Sequence, residues 1–270
     1  MEAGDAVSPV RLGCVEYLNA RPLVYGLERQ TDRFSLRFDV PSRCAKLLHG
    51  RDVDLGIIPS IEYLRGGRPY LAVPGIAIGS EGAIASVALF SRKPLADIRS
   101  IALDTSSRTS VALLQVLCAR HFMITPEMRP MLPEPEQMLR ECDAALIIGD
   151  MALLFDAAAA GVGKTDLGQA WTAYSGLPFV YALWVGQEEA IGTADIDRLV
   201  AAGLDGAAHP DAVARQYFAG TPQWIDLGSR YLRDNVKYGF GERQLAGLTR
   251  FYREAFELGL VPAFRAPRFY

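Results

Sequence analysis

Short apolar segments alternate with segments of helical periodicity along the first part of the chain. The apolar segments resemble buried strands and cover residues 10–15, 35–40, 55–58, 98–103, 128–131 and 144–148. The segments between them place apolar residues three and four positions apart and predict helices at 22–29, 41–49, 109–122 and 135–140. Ser60 is expected to cap one further short helix. This alternation predicts an α/β protein in two halves, each with a mostly parallel sheet covered on both faces.

The rest of the chain adds two apolar segments and a helical tail. Residues 83–90 form an apolar run with the polar Ser86 near its middle, and residues 181–185 predict another strand. From Asp195 onward the pattern is mainly helical. It ends in a long amphipathic helix at 242–258.

A glycine-rich stretch lies between the second half and this tail. Four alanines at 157–160 predict the end of a helix, and Gly161 and Gly163 predict the turn that caps it. A phosphate-binding loop would need a preceding strand and a glycine at the position of Ala158. We therefore expect Lys164 to be a solvated surface charge rather than a nucleotide ligand.

Composition and charge are those of an ordinary globular protein. Half of the residues are hydrophobic, and the net charge of -3 includes lysines and arginines scattered along the chain, so we expect no nucleic-acid and no membrane partner. No window approaches the ~18 consecutive apolar residues of a spanning helix. The acidic start, Met1 to Asp5, lacks the cationic and apolar parts of a signal peptide, and we expect a cytoplasmic protein.

Cysteine and histidine spacing gives no metal motif. The four cysteines form no C-x-x-C pair and lie among apolar residues, which predicts buried, reduced thiols. The three histidines are far apart in the sequence, and no nucleotide-binding, Ser-His-Asp or Cys-His pattern is present. We expect no metal and no other cofactor. An enzyme of this sequence would rely on positioning and electrostatics.

The loops at strand ends are the natural places for a ligand. Ligands of parallel α/β folds bind beyond the carboxyl ends of the strands, which selects the loops after Val15, Ile58, Leu103 and Ile148. In the first loop, Asn19 offers both a carbonyl acceptor and an amide donor. It either faces a ligand or caps the next helix, and the residues alone favour neither.

Two further loops carry polar groups. Residues 104–110 contain more hydroxyls than one helix cap needs, and together with the free N–H groups of a helix start they favour a carboxylate or phosphate site over simple capping. Asp150 could position a ligand hydroxyl, although capping of the next helix is the simpler interpretation. Ser86 needs either a backbone partner or a polar cavity. Aromatic residues around Phe179 belong to the core, to a pocket wall or to both.

Six sequence elements occur in an order typical of one enzyme family. They are Gly13-x-Val15-x-Tyr17-Leu18-Asn19-x-x-Pro22-Leu23, Asp54-x-Gly56-Ile57-Ile58-Pro59-Ser60, Ser86-Val87-x-Leu89-x-Ser91, Ile101-Ala102-Leu103-Asp104-x-Ser106-x-x-Thr109-Ser110, Leu146-Ile147-Ile148-Gly149-Asp150-x-Ala152-Leu153 and Gly176-Leu177-Pro178-Phe179-Val180. Over nearly its whole length the chain resembles the chorismate dehydratases, the first enzymes of the futalosine route to menaquinone. Tyr17-Leu18-Asn19 is the most specific part of this resemblance.

The resemblance implies a fold and a reaction. The fold is of the periplasmic-binding-protein type II, with two α/β lobes around a central cleft and without export. One lobe would combine residues 1–87 with 184–270, and the inserted lobe would cover 88–183. The reaction would be that of a carbon-oxygen lyase, the cofactor-free elimination of water from the dianion chorismate to give 3-[(1-carboxyvinyl)oxy]benzoate.

The resemblance also implies roles for individual residues. Asn19 would be the catalytic residue, nearest the reacting carbons. Thr109 and Ser110, with Ser86 opposite, would hold the ring carboxylate. The other residues implied to contact the substrate are Tyr17, Pro59, Ser60, Ser107, Gly149, Asp150, Phe179 and Tyr238.

Two other functions are compatible with the same fold. One is that of 1,4-dihydroxy-6-naphthoate synthase in the same pathway, which would be favoured by a larger cleft containing a histidine. The other is a non-catalytic binding protein for a small aromatic acid, since a fold does not fix a function. A ligand-sensing domain of a regulator is less favoured because the chain has no DNA-binding element.

Overall fold

The computed structural model describes residues 8–270. The expectation about a signal peptide concerns Met1 to Asp5, which lie outside the described residues. No helix of the described part is long and apolar enough to cross a bilayer.

The strands of the described residues form two mixed sheets. The strands of the first sheet are β1 Val10–Val15, β2 Phe34–Asp39, β3 Leu55–Pro59, β4 Leu71–Ala72, β5 Gly75–Ser80, β11 Phe179–Gly186 and β12 Lys237–Phe240. The strands of the second sheet are β6 Val87–Ser91, β7 Ser100–Asp104, β8 Glu127–Met131, β9 Ala144–Ile148 and β10 Gly163–Asp166. The spatial order is β12-β5-β11-β3-β1-β2 in the first sheet, with β4 paired to β11, and β10-β6-β9-β7-β8 in the second.

Helices pack against both sheets. They are α1 Pro41–His49, α2 Glu62–Arg65, α3 Arg108–Leu117, α4 Pro135–Glu141, α5 Gly149–Leu154, α6 Leu167–Ser175, α7 Thr193–Ala208, α8 Pro210–Tyr217, α9 Ile225–Arg230 and α10 Glu242–Glu257. Two π-helical turns, Cys118–Phe122 and Tyr231–Asn235, extend α3 and α9. The loop after β1 forms two 3-10 turns, Leu18–Val24 and Leu27–Arg29.

Several predicted elements are confirmed nearly residue for residue. The bounds of β1, β9 and α1 are those predicted, and α10 ends one residue earlier than expected. The four cysteines are free and buried, as expected. These are the elements whose apolar periodicity has clear stop signals on either side, such as Gly50 after α1.

The prediction of mostly parallel sheets is wrong. β1 pairs in parallel with β2 and β3, but β11 runs antiparallel to β3 and β5, and β6 runs antiparallel to β9. The reason is the path of the chain: β11 returns from the second sheet and begins beside the end of β3, so that Ala182 pairs with Pro59.

Two expected helix features are also wrong. The single helix at 22–29 is replaced by the two 3-10 turns because Gly26, with a φ of 75°, reverses the backbone between them. Ser60 does not cap α2, whose N-cap is Ile61. The hydroxyl of Ser60 donates instead to the carbonyl of Val180, at 2.8 Å, and thereby ties the end of β3 to β11.

The alanine and glycine stretch is not the end of a helix. α5 ends at Leu154, and the chain turns through residues 157–161 into β10, which starts at Gly163. Lys164 is therefore a strand residue at the edge of the second sheet. Lys164 is exposed, as expected of a surface charge, and its ammonium also donates to the carbonyl of Ala85 at 2.7 Å. Partial burial of that ammonium lowers its pKa.

Four short strands are absent from the sequence prediction, namely β4, β5, β10 and β12. The chain leaves the first sheet after Ser80, enters the second at Val87, and returns to the first at Phe179. The division into lobes 1–87 with 184–270 and 88–183 stays a prediction. Its second boundary falls inside β11, so we place the change of lobe before Phe179.

Candidate active site

A cleft opens between the ends of strands from the two sheets, and its empty space, counted together with the solvent at its mouth, is about 510 Å³. Its walls come from the strand-end loops, the start of α3 and the middle of β11. The lining residues are Val15, Tyr17, Asn19, Pro41, Pro59, Ile78, Ile84, Val87, Ser107, Arg108, Thr109, Ser110, Ile148, Gly149, Tyr181 and Ala182. Loops after Val15, Ile58, Leu103 and Ile148 all contribute, as predicted.

Asn19 lies in the 3-10 turn after β1 and lines this cleft. The hydroxyl of Tyr238 donates to the Asn19 carbonyl at 2.9 Å, which fixes the backbone at this point. The side-chain oxygen Oδ1 is buried and has no hydrogen-bond partner among the described residues. A buried acceptor without a partner is costly, about 1–3 kcal/mol, so a ligand that donates to it would be bound favourably.

The start of α3 forms a second polar wall. Ser107, Thr109 and Ser110 are all nearly fully buried and line the cleft. The first N–H groups of a helix have no carbonyl partner within it, and Ser107 makes no side-chain cap to satisfy them. Backbone donors, hydroxyls and the positive end of the helix dipole together favour an anion.

Thr109 also links the two sheets. Its Oγ1 accepts the backbone N–H of Ile61 at 3.2 Å and lies 3.5 Å from the Ser60 hydroxyl. Ser60 itself is buried behind the cleft wall. Thr109 is thus engaged with the first sheet, whereas Ser107 and Ser110 stand on either side of it at the cleft.

Arg108 brings a cation to the cleft, and its charge is partly balanced by Glu62. The guanidinium lies 2.7 Å from the carboxylate of Glu62, which Arg65 and His49 also contact. Burial raises the pKa of Glu62, but the hydrogen bond from His49 and the charges of Arg108 and Arg65 outweigh it, so the pKa is below the usual value. Glu62 is therefore ionised and holds Arg108 in place.

Tyr17 lines the cleft and packs against the end of the second sheet. Its ring lies against Gly149, where a Cβ atom would come within 2.8 Å of the ring, and Gly149 has a φ of +64°. The Tyr17 hydroxyl lies 3.5 Å from that of Ser106, which donates to Asp104. Burial raises the pKa of Tyr17 to about 12, so the phenol stays neutral.

Not every residue expected at the site lines the cleft. The expected residues that line the cleft are Tyr17, Asn19, Pro59, Ser107, Thr109, Ser110 and Gly149. Those that lie outside its lining are Ser60, Ser86, Asp150, Phe179 and Tyr238. Phe179 is buried among Trp171, Tyr181 and Phe251, so it belongs to the aromatic core.

Three of the residues outside the lining support it from behind. Ser86 shares a 2.7 Å hydrogen bond with the hydroxyl of Tyr231 rather than facing the cleft. Asp150 accepts the backbone N–H of Leu18, so it does not cap its own helix, and it does not line the cleft. Tyr238 holds Asn19 through the backbone, as described above.

Sequence reasoning missed Arg108, Pro41, Tyr181 and the apolar wall of Ile78, Ile84 and Val87. Arg108 lies inside the hydroxyl-rich motif and could have been noted there. The others lie on strands or loops that meet the cleft only through the folding of both sheets, and no local signal marks them.

The cleft has the charge expected of a site for an anion. No carboxylate side chain is among its lining residues, while one arginine and one helix start are. No histidine lines it either: His49 contacts Tyr70 and Glu62, and His209 lies on the surface. Within residues 8–270 no group of three or more His, Cys, Asp or Glu side chains could hold a metal ion.

Comparison with known proteins connects this site to a family. The model of a family described as menaquinone biosynthesis matches residues 10–257. A chorismate dehydratase of Thermus thermophilus is 29% identical over 199 residues, which cover 67% of this chain and 71% of the relative.

Solved structures agree on the fold. The alkanesulfonate-binding protein SsuA of Xanthomonas axonopodis pv. citri is 14% identical with a TM-score of 0.70, and the match covers 96% of each chain. The periplasmic aliphatic sulphonate binding protein SsuA of Escherichia coli is 17% identical with a TM-score of 0.67, covering 95% of this chain and 89% of that one. The chain therefore has the periplasmic-binding-protein fold that the sequence led us to expect.

Proposed function

We propose that this chain, which belongs to the menaquinone biosynthesis family, is a chorismate dehydratase, a carbon-oxygen lyase that removes water from chorismate. Its relative in Thermus thermophilus carries that name. The observation that supports the proposal is the pairing, in one cleft, of a hydroxyl-rich helix start with the unpartnered Oδ1 of Asn19.

The proposed reaction balances without an electron carrier. A proton leaves the ring carbon that bears the ether oxygen, and hydroxide leaves the neighbouring carbon, so that one water is lost. The product is 3-[(1-carboxyvinyl)oxy]benzoate, and formation of its benzene ring drives the elimination. What the protein must supply is orientation and stabilisation of the charge that develops on the ring.

The start of α3 would stabilise that charge. The ring carboxylate is conjugated to the carbon that loses its proton, so negative charge moves toward the carboxylate oxygens during the reaction. The N–H groups of the first turn and the hydroxyls of Ser107 and Ser110 lie at the cleft and would donate hydrogen bonds to such oxygens. Arg108 adds a positive charge beside them, and Thr109 fixes the helix start to the first sheet.

Asn19 would orient the leaving group. Its Oδ1 accepts a hydrogen bond, and the ring hydroxyl of chorismate is a donor that would satisfy it. An amide oxygen is too weak a base to take the ring proton. We assign that step to a carboxylate of the substrate itself, an assignment that would be excluded if an analogue without the side-chain carboxylate lost water at the normal enzymic rate.

The first alternative, a 1,4-dihydroxy-6-naphthoate synthase activity, is not favoured. A larger cleft containing a histidine would favour this activity, and none of the three histidines lines the cleft. The second, a non-catalytic binding protein, is separated by the experiment below.

The test is incubation of the purified protein with chorismate, followed by ultraviolet and mass detection. We expect a benzoate absorption and a product lighter than chorismate by one water. Chorismate that binds but persists unchanged would make the protein a binding protein. Chorismate that neither binds nor reacts would refute the proposal altogether.

A further inference from the structure

Asp150 joins the second sheet to the loop that carries Asn19. It stands in the first turn of α5, directly after β9, and its Oδ1 accepts the backbone N–H of Leu18 at 3.1 Å. Its other oxygen accepts the hydroxyl of Tyr217, which comes from α8, at 2.5 Å. Both carboxylate oxygens are thus occupied, one by the loop after β1 and the other by α8.

The bond to Leu18 reaches the backbone one residue before Asn19. On the other side, Tyr238 donates to the carbonyl of Asn19 itself. The second sheet meets this loop at two more points, where Gly149 lies under the Tyr17 ring and Ser106 lies near the Tyr17 hydroxyl. These two contacts are made with the side chain of Tyr17, whereas Asp150 binds the main-chain N–H of Leu18.

We propose that Asp150 is a positioning residue. Its carboxylate, oriented by Tyr217, holds the backbone at Leu18 and Asn19 against the second sheet and so sets the position of the Asn19 amide in the cleft. We call this contact between Asp150 and the Leu18 N–H the lock. This inference rests on the proposed dehydration for its kinetic test. It assigns Asp150 no contact with the substrate, in line with its position outside the cleft lining.

The surroundings of Asp150 give the lock a pH dependence. Burial raises the pKa of Asp150, and the hydrogen bonds from Tyr217 and Leu18 and the charge of Arg21 only partly oppose this. The titratable groups that face it are Tyr217, Arg21, Glu16, Tyr17 and Tyr231. Since the carboxylate form is the better acceptor, the lock weakens as the pH falls through a pKa above that of an ordinary aspartate.

Three variants test the role through the kinetics of chorismate dehydration. Asp150→Ala removes both acceptors, and we expect kcat to fall about 10- to 100-fold with KM changed less than about threefold. Asp150→Asn keeps an acceptor for Leu18, so it should recover most of this loss and should lack the acid limb of the kcat profile. Tyr63→Phe is the matched control, because it removes a buried hydroxyl that bonds the carbonyl of Tyr70, away from the cleft.

Two outcomes would overturn the inference. If Asp150→Asn were as inactive as Asp150→Ala, Asp150 would act in the chemistry and not by positioning. If Asp150→Ala had the wild-type kcat, the residue would have no role. A positioning role is supported only by the recovery in the asparagine variant.

A readout without substrate separates this inference from the proposed function. Hydrogen exchange of the Leu18 amide should be slow in the wild type and at least about tenfold faster in Asp150→Ala, with Asp150→Asn in between. Equal protection in all variants would refute the lock even if chorismate is turned over. Loss of protection without any turnover in the wild type would refute the function and leave the lock standing. If Asp150→Ala does not fold, the asparagine variant and the exchange rates decide.

Discussion

Asn19 is fixed through its backbone and free at its side-chain oxygen. Leu18 and Tyr238 anchor the main chain on either side, while Oδ1 has no partner among the residues described. Such a group lowers the stability of the folded protein, because a buried acceptor without a hydrogen bond is costly. Its presence is explained by the hydrogen bond that it can accept from a ligand.

Replacing Asn19 by alanine should therefore separate activity from stability. We expect Asn19→Ala to lower turnover of chorismate by about 10²-fold or more, because the leaving group loses its orienting partner. The thermal midpoint should stay the same or rise, because the alanine variant no longer buries an unpaired acceptor. Asn235→Ala is the control, since that exposed amide donates only to the Ala83 carbonyl and should keep near-normal turnover. Normal turnover in Asn19→Ala would remove Asn19 from the mechanism.

Gly149 offers a second test at the level of one residue. Its positive φ disfavours any side chain by about 1–2 kcal/mol, and an added Cβ would also meet the Tyr17 ring. Gly176 has a similar φ of +70° but nothing within 4 Å of an added Cβ. Urea denaturation should show both alanine variants destabilised, with Gly149→Ala losing about 1–3 kcal/mol more from overpacking.

The two glycine variants should differ more clearly in activity. Gly149→Ala pushes Tyr17 into the cleft and should raise KM for chorismate, whereas Gly176→Ala should leave kinetics unchanged. Equal kinetics in the two variants would show that the contact between Gly149 and Tyr17 does not shape the cleft.

At the scale of elements, the start of α3 concentrates the anion-binding groups. The helix begins at Arg108 after a strand end, so its first N–H groups point into the space between the sheets. Thr109 is engaged with Ile61, and the remaining hydroxyls at the cleft are those of Ser107 and Ser110.

Removing one of these hydroxyls should weaken substrate binding. We expect Ser110→Ala to raise KM for chorismate about tenfold, since a hydrogen bond to a charged group contributes about 1.5–3 kcal/mol. Thr193→Ala removes a first-turn hydroxyl from α7, outside the cleft, and should leave KM as it is. Steady-state kinetics at neutral pH measure both, and an unchanged KM in Ser110→Ala would argue against carboxylate binding here.

Elements with strong local signals were predictable, and those without them were not. The apolar periodicity of α1, the glycine at which it ends and the hydroxyl-rich start of α3 can all be recognised in the sequence. β5 is a strand only because it pairs with β11 on one side and with β12 on the other, and β12 lies more than 150 residues further along the chain. The roles of Asp150 and Ser86 were missed for the same reason, since their partners Leu18, Tyr217 and Tyr231 lie far away in the chain.

At the scale of the whole molecule, charged contacts join elements that are distant in the sequence. Glu62 pairs with Arg108 beside the cleft, whereas the hydroxyl of Tyr174, on α6, donates to Glu254, on α10, away from the cleft lining. Glu62 is the most buried carboxylate in these contacts, with 1% of its side chain exposed. Its bonds therefore contribute to folding and hold the start of α3 against α2.

The pH dependence of the free energy of unfolding should show how much the Glu62 carboxylate contributes to stability. Because its folded pKa is lowered, its contribution is present above the unfolded value of about 4.3 and is lost as pH falls through the lower folded value. We expect Glu62→Gln to cost about 1–3 kcal/mol in urea denaturation at pH 7, with the gap to the wild type narrowing below about pH 4.3. Glu136→Gln, at an exposed and distant ion pair, should cost almost nothing. A gap that does not depend on pH would show that Glu62 does not act through its charge.

The late position of β11 in the sequence has a consequence for synthesis. This strand lies between β3 and β5, yet it is made only after the whole second sheet. While the chain is still growing on the ribosome, the edges of β3 and β5 face each other with no strand to fill the gap. We expect a nascent chain that stops before Phe179 to be captured by chaperones, and one that extends past Gly186 to escape them, because non-local pairing of this kind forms slowly and leaves unpaired edges open in the meantime.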